Sequence, residues 1–473
     1  MRSRCRPGPH DREILTLALP ALGALAAEPL YLLADTAIVG HLGTAQLAAL
    51  ALASVLLDAL ATFCNFLTYG VTAQVARLHG AGEPQRAGRI AAQALWLALG
   101  VGVGVAAIAA GLAPQLIGLL GGHGRIAALA TRFLRIGAIG LPCALVGLAG
   151  QGYQRGTGDL RTPLVVVVGA NLLNVVLELW FVYGLRLGLA GSAWGTVLAQ
   201  LVMGAAFAAA LWRAGGAGGD RRPHREGMRP LLQMGGALVL RTGSLYGSFI
   251  VASAVVARLG AASLGAHQIG MQLFGFLALL LDAIAIAGQV IVGRRLGAGD
   301  GPGARAVARR MIELSFLGGL ALAAILFALR GLIPRAFTDD PRVLARAAAL
   351  WPLLCLLQVL GAVAYALDGI LLGAGETTYL AGSMVVSGAA YVTVTVSALA
   401  LHWGIVGVWA GFLVLMIVRD LTCGARFRSG RWIVLGPRSP APDPEATSGE
   451  RPSLTSPRGE PIRRGQYPTS PGS

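Results

Sequence analysis

The chain states one pattern twice, and that duplication restricts what it can fold into. His41-Leu42-Gly43 returns as Arg258-Leu259-Gly260. Leu78-His79-Gly80-Ala81-Gly82-Glu83 returns, one residue shorter, as Leu296-Gly297-Ala298-Gly299-Asp300. Gly156-Thr157-Gly158-Asp159 returns as Gly373-Ala374-Gly375-Glu376. The spacing is 217 each time (260 − 43, 297 − 80, 373 − 156), and Gly188-Leu189-Ala190-Gly191 meets Gly404-Ile405-Val406-Gly407 at 216. Soluble solenoids repeat at about 20–50 residues, so a period of this size is a duplicated domain. Long apolar segments fill the intervals, which makes each half a membrane domain of the same plan. Fused membrane repeats are a common plan for secondary transporters, whose substrate crosses between them.

Composition supports that reading. Only 13% of residues are charged, about half the fraction of a soluble protein. Segments of about 20 apolar residues suffice to span a bilayer. Twelve are predicted, near 14–40, 46–77, 88–112, 128–154, 162–184, 189–212, 230–257, 263–293, 306–330, 344–372, 378–401 and 405–426. The fold class is an all-α membrane protein of two six-helix repeats. The expected domains are an N-terminal bundle over 1–213, a linker over 214–229, a C-terminal bundle over 230–427 and a disordered tail over 428–473.

The formal charge is +16 and the chain has no lysine, so all 38 basic residues are arginine. Their distribution argues against nucleic acid, because no aromatic-basic face accompanies them. Arg2, Arg4, Arg6 and Arg12 precede the first helix, and Arg77, Arg86 and Arg89 flank the second loop. Arg155 and Arg161 flank the fourth, Arg221, Arg222 and Arg225 lie in the linker, and Arg294 and Arg295 follow helix eight. These are alternate loops. The positive-inside rule places them and both termini in the cytoplasm, in a bacterial inner (plasma) membrane. Arg330, Arg335, Arg342 and Arg346 run against the rule at the ninth helix. The first helix mimics a signal peptide, but its apolar run continues to Val39 and has a counterpart in the second half, so cleavage is not expected. Five cysteines, three of them inside helices, give no disulfide framework and no metal spacing. No cofactor or hydrolytic motif is found, so an ion gradient must drive any active transport.

The motifs carry a family resemblance. Pro29-Leu30-Tyr31-Leu32-Leu33-Ala34-Asp35-Thr36-Ala37-Ile38-Val39-Gly40-His41-Leu42-Gly43 resembles the first helix of multidrug and toxic compound extrusion (MATE) transporters. Arg155-Gly156-Thr157-Gly158-Asp159 is similar to the family's R-G-x-G-D signature, and Leu173-Asn174-Val175-Val176-Leu177-Glu178 to its L-N-x-x-x-D. Gly265-Ala266-His267-Gln268-Ile269 and Leu367-Asp368-Gly369-Ile370 look like the DNA-damage-inducible protein F branch. The resemblance covers about residues 12–427 and implies secondary export of organic cations, with the coupling carboxylate at Asp35 and a partner at Glu178.

The residues themselves point the same way. A charge in lipid costs at least about 2.5–3.5 kcal/mol, so such groups face a cavity or a partner. Asp35 and Glu178 fall at similar depth, in the outer halves of helices one and five. Asn174 lies one turn before Glu178 on the same face. The three are expected to converge in one polar pocket of the N-terminal half, where two carboxylates can hold and release a proton. Arg241 and Asp282, on consecutive helices, are expected to form an ion pair. Asp368 and its repeat mate Gln151 are expected to line the inward mouth, and these four are the cavity or gating candidates. The sodium-type branch is expected to use acids in helices seven and ten; helix seven has none, which favours protons. The runners-up are a flippase for lipid-linked precursors and an exporter of anionic or neutral metabolites. The flippase would want a cationic cavity, and Arg241 is the one clear intramembrane arginine on this reading.

Overall fold

A computed structural model describes residues 11–217 and 222–436. Among the described residues, twelve helices are long and apolar enough to cross a membrane. They are α1 (Asp11–Gly40), α2 (Thr44–Gly80), α3 (Pro84–Gly111), α4 (Gly124–Thr157), α5 (Arg161–Gly184), α6 (Leu189–Ala217), α7 (Arg225–Arg258), α8 (Ala261–Gly297), α9 (Gly301–Ala328), α10 (Pro341–Gly373), α11 (Thr377–Ala400) and α12 (Gly404–Ser429). All twelve were legible in the apolar runs. Two short helices, Ala113–Leu119 and Ile333–Phe337, follow α3 and α9 and were not expected. They occupy matching places in the two repeats.

The duplication is written into the backbone. Gly43 and Gly260 have φ of 128° and 98°, Gly82 and Gly299 72° and 78°, Gly158 and Gly375 85° and 74°. These left-handed turns need glycine, which is why the repeated sequence anchors are glycines between helices. α2 breaks for one residue at Asn65. Its repeat mate, 217 positions on, is Asp282, within an unbroken α8.

The first helix of each half reaches across to the other. Ile14, Leu17, Ala18 and Ala21 of α1 pack with Ile286, Val290 and Ile291 of α8 and Met311 of α9. Arg310 binds Asp11 through Nε and Nη2, both at 2.7 Å. In return, Leu231 of α7 joins a core of α2, α3 and α4, and a Cβ at Gly235 would fall 2.6 Å from the Phe66 ring. The amphipathic start of each helix thus finds its apolar partner in the opposite repeat.

The arginine-rich end is closed by a reciprocal contact between α2 and α8. A Cβ at Gly80 would lie 1.9 Å from the carbonyl oxygen of Arg294, and a Cβ at Gly297 would lie 2.0 Å from that of Arg77. Gly80 and Gly297 are repeat mates, as are Arg77 and Arg294. Arg77 donates to the carbonyls of Ala374 at 3.1 Å and Gly436 at 3.2 Å, where its charge meets the negative end of α10.

Two expected boundaries move. The linker over 214–229 shrinks, because α6 runs to Ala217 and α7 begins at Arg225; residues 218–221 lie outside the described residues. The tail expected from 428 begins later. α12 continues to Ser429, Gly430 turns the chain, and fully buried Trp432 stacks on Phe427 with ring centroids 5.4 Å apart. One large indole supplies enough apolar area to hold this segment down. The rest of the tail, and Arg2, Arg4 and Arg6, lie outside the described residues.

Candidate functional site

A cavity of about 430 Å³ opens among α1, α2, α4, α5 and α6, with Leu279 and Asp282 of α8 on its rim. On α1, Ala24, Glu28, Tyr31 and Asp35 line it, a spacing that keeps one helical face toward it. Asp58 and Asn65 come from α2, Gln151 and Arg155 from α4, Asn171 and Asn174 from α5, and Thr196 and Gln200 from α6.

Asp35, Asn174 and Glu178 are all buried; Asp35 and Asn174 line this cavity, and Glu178 sits beside Asp35 behind the lining. Ser192 of α6 donates to Asp35 Oδ1 at 2.8 Å. Glu178 is completely buried beside Asp35 and Ser192, yet neither of its carboxyl oxygens accepts a hydrogen bond. Thr196 Oγ1 lies 3.1 Å from the Tyr31 hydroxyl and 3.4 Å from Asn174 Nδ2. A buried carboxyl without a donor is expensive. A proton shared with Asp35 would satisfy it.

Local sequence explains how α5 presents Glu178. Gly191 and Gly195 put two small residues on one face of α6, the spacing that lets helices approach closely in lipid. A Cβ at Gly191 would fall 2.9 Å from the Phe181 backbone, and one at Gly195 3.2 Å from the Glu178 nitrogen. Directly after Glu178 the helix widens into a π turn over Trp180–Gly184, an element frequent at functional sites. Tyr183 then donates to the Ile38 carbonyl at 2.7 Å, tying the end of α5 to α1.

Among the described residues, the second half does not repeat the three polar groups of this site. The positions 217 residues after Asp35, Asn174 and Glu178 are Ala252, Tyr391 and Thr395. Tyr391 stacks on Phe412 with centroids 5.7 Å apart, and Phe274 meets Phe412 edge-on at 4.7 Å. With Trp409 and Phe249 these rings fill the space that the first half leaves open.

Asp368, Arg241 and Asp282 behave differently from expectation. Asp368 is buried and accepts from Arg241 of α7 and Arg419 of α12. Arg241 therefore pairs with Asp368, and the expected Arg241–Asp282 pair does not form. Consecutive helices misled the pairing: α8 packs chiefly on α10 and α7 on α11. Asp282 instead faces the cavity, as does Gln151, whereas Asp368 is buried against its two arginines and is not part of this cavity's lining. Arg241 is not the one arginine within a spanning helix, since Arg155 and Arg419 are buried within α4 and α12. Arg155 read as a loop residue because it lies two positions before the end of α4. Arg419 is flanked by apolar Val418 and by Asp420, and that charge pair inside an apolar run was the available signal. Glu28 and Asp58, lone acids on apolar helices, both reach the cavity. Among the described residues no three His, Cys, Asp or Glu side chains assemble as metal ligands.

The comparisons agree with this architecture. The MatE family profile matches residues 20–180 and 238–399, one match in each repeat. Protein DETOXIFICATION 44, chloroplastic, of Arabidopsis thaliana is 31% identical over 444 residues, covering 90% of this chain and 84% of that protein. DNA damage-inducible protein F of Escherichia coli is 29% identical over 438 residues, covering 89% and 94%. Among solved structures, a MOP superfamily transporter from Pyrococcus furiosus superposes with a TM-score of 0.80 at 21% identity, covering 90% and 96%. Twelve duplicated membrane helices, a polar cavity built chiefly from the first repeat and these matches make the chain a multi-pass membrane protein that belongs to the MatE family of transporters.

Proposed function

We propose that this chain exports amphipathic organic cations from the cell in exchange for protons, by alternating access. The observation that carries the reading is the buried Asp35–Glu178 pair at one end of a cavity lined by acids and apolar groups. Protonation of the pair would release a cation from the cavity, and deprotonation would recruit the next. Glu28, Asp58 and Asp282 add negative charge, against Arg155 as the cavity's arginine. That balance suits a cation and opposes the lipid-pyrophosphate reading. Asp368 is already neutralised by two arginines, which supports protons over sodium.

The arginine-rich loops support an orientation with that end in the cytoplasm of a cell bounded by its inner membrane. Cysteine reporters near 84, 158 and 300 should resist an impermeant label applied outside. Efficient labelling of intact cells at position 158 would reverse the orientation.

The decisive test is dye transport in inverted vesicles with and without a pH gradient. Uptake should require the gradient, and dye addition should release protons. Uptake that follows a sodium gradient and ignores pH would overturn the coupling.

A further inference from the structure

The arginine of the cavity is the one charge that cation export does not use. Arg155 is buried to 7% exposure and lines the same cavity as Asp35. Its one hydrogen bond runs from Nη2 to Gln151 Oε1, at 3.2 Å. Of the other buried arginines, Arg77 donates to backbone carbonyls and Arg419, with half-buried Arg241, holds Asp368. Arg155 has no carboxylate in ion-pair contact. Asp282 shares the cavity with it but stands off on the other repeat. Asp282 is thus a counter-charge across the cavity and not a hydrogen-bond partner, and the remaining N–H groups of Arg155 are unbonded.

The position is also rigid. Gly152 and Gly156 seat α4 on α2, where a Cβ would meet the Thr68 carbonyl oxygen at 2.7 Å and Val75 Cβ at 2.7 Å. Gly150 seats it on Phe207 of α6, where a Cβ would fall 2.5 Å from the side chain. The remaining face, with Leu148, Gln151 and Arg155, is held toward the cavity. A fixed, planar guanidinium with free N–H groups is matched to a carboxylate, which it binds through two parallel hydrogen bonds.

Asp58 lies within reach of Glu28 and Asp35, while Asp282 is the acid that faces Arg155. Along α1 the lining runs from Ala24 to Asp35, about 16 Å at 1.5 Å per residue. α4 ends near the start of α1 and lines the cavity down to Arg155. Arg155 and Asp35 therefore stand apart in one chamber with apolar walls, including Leu25, Leu32, Leu57 and Leu148.

We infer that Arg155 binds a carboxylate group of the substrate, so that the cavity is built for zwitterionic amphiphiles with the cationic group toward Asp35 and the anionic group on Arg155. This rests on the export reading above. A carboxylate approaching Arg155 also approaches Asp282, so Asp282 sets the strength of the subsite by repulsion.

Equilibrium fluorescence binding to the purified full chain in lipid nanodiscs tests the inference. The probes are tetramethylrhodamine methyl ester, a cation, and its zwitterionic free acid. Arg155→Gln should weaken binding of the acid by about tenfold or more and change the ester less than twofold. Arg155→Lys should recover part of the loss, because it restores charge without the planar fork. Asp282→Asn should tighten the acid and leave the ester weaker or unchanged. Equal loss of both probes in Arg155→Gln, or no loss in either, would assign Arg155 a structural role and sink the inference. Binding of neither probe by the parent protein would remove the export reading, and this inference with it. Binding of the ester alone would overturn the inference and leave the export reading standing.

Discussion

Asp35 accepts a hydrogen bond from Ser192, whereas Glu178 accepts none, and the two substitutions should therefore differ. Asp35→Asn keeps the shape and removes the titration beside the cavity. Normal expression with loss of proton-driven efflux is expected, and Glu178→Gln should be less impaired, since an amide can donate to Asp35. Export against a gradient at the parent rate and pH dependence by Asp35→Asn would move the coupling elsewhere. Asp368 makes a contrasting case. It is the buried, shared partner of Arg241 and of buried Arg419, and removing one member of a buried pair costs about 3–5 kcal/mol. Asp368→Ala should lower the melting temperature in detergent much more than Arg241→Gln, which leaves the Arg419 contact in place. Equal melting of the two variants would show that the cluster is not held by that carboxylate.

At the level of elements, α6 controls where Glu178 stands, because Gly191 and Gly195 let α5 approach without side chains between. Gly195→Val should push α5 away and abolish coupled export while leaving dye binding measurable; full export by this variant would show that the pair tolerates helix movement. These small residues also mark how much could be read from the sequence. Asp35, Asn174 and Glu178 were legible because a charge in an apolar run is conspicuous and helical spacing places Asn174 beside Glu178. Arg155 was not, because a residue two positions from a helix end reads as loop until the neighbouring helices close over it. The Arg241–Asp368–Arg419 cluster was illegible for another reason. It joins α7, α10 and α12, and which helices pack together is decided by side-chain fit across the whole bundle. Subtracting one repeat from the other recovers more. Ala252, Tyr391 and Thr395 stand where Asp35, Asn174 and Glu178 would be, so the sequence alone could have placed the cavity in the first half.

For the molecule as a whole, the starts of α1 and α7 each pack on the opposite repeat, so labels there would blur any motion between halves. Ile108 and Ile325 are repeat mates, exposed at matching ends of α3 and α9. Spin labels at these positions should change separation between high and low pH if the repeats move as rigid bodies. One unchanging distance under all conditions would speak for a static channel. The reciprocal seat of Gly80 on Arg294 and Gly297 on Arg77 makes a second prediction. Gly80→Ala or Gly297→Ala should open the arginine-rich end to a thiol label placed nearby, and the double variant should add little, because either methyl already breaks the contact. That seat has a further consequence. Each half carries six spanning helices, so both halves enter the membrane in the same direction, and a contact in which residue i meets j while j meets i is the isologous contact of a two-fold dimer. The chain holds a dimer interface within one polypeptide. The 217-residue unit is thus one that could pair with a copy of itself about an axis normal to the bilayer, and within one chain the two copies need not be alike: a core of aromatic rings in the second stands where the first has polar groups.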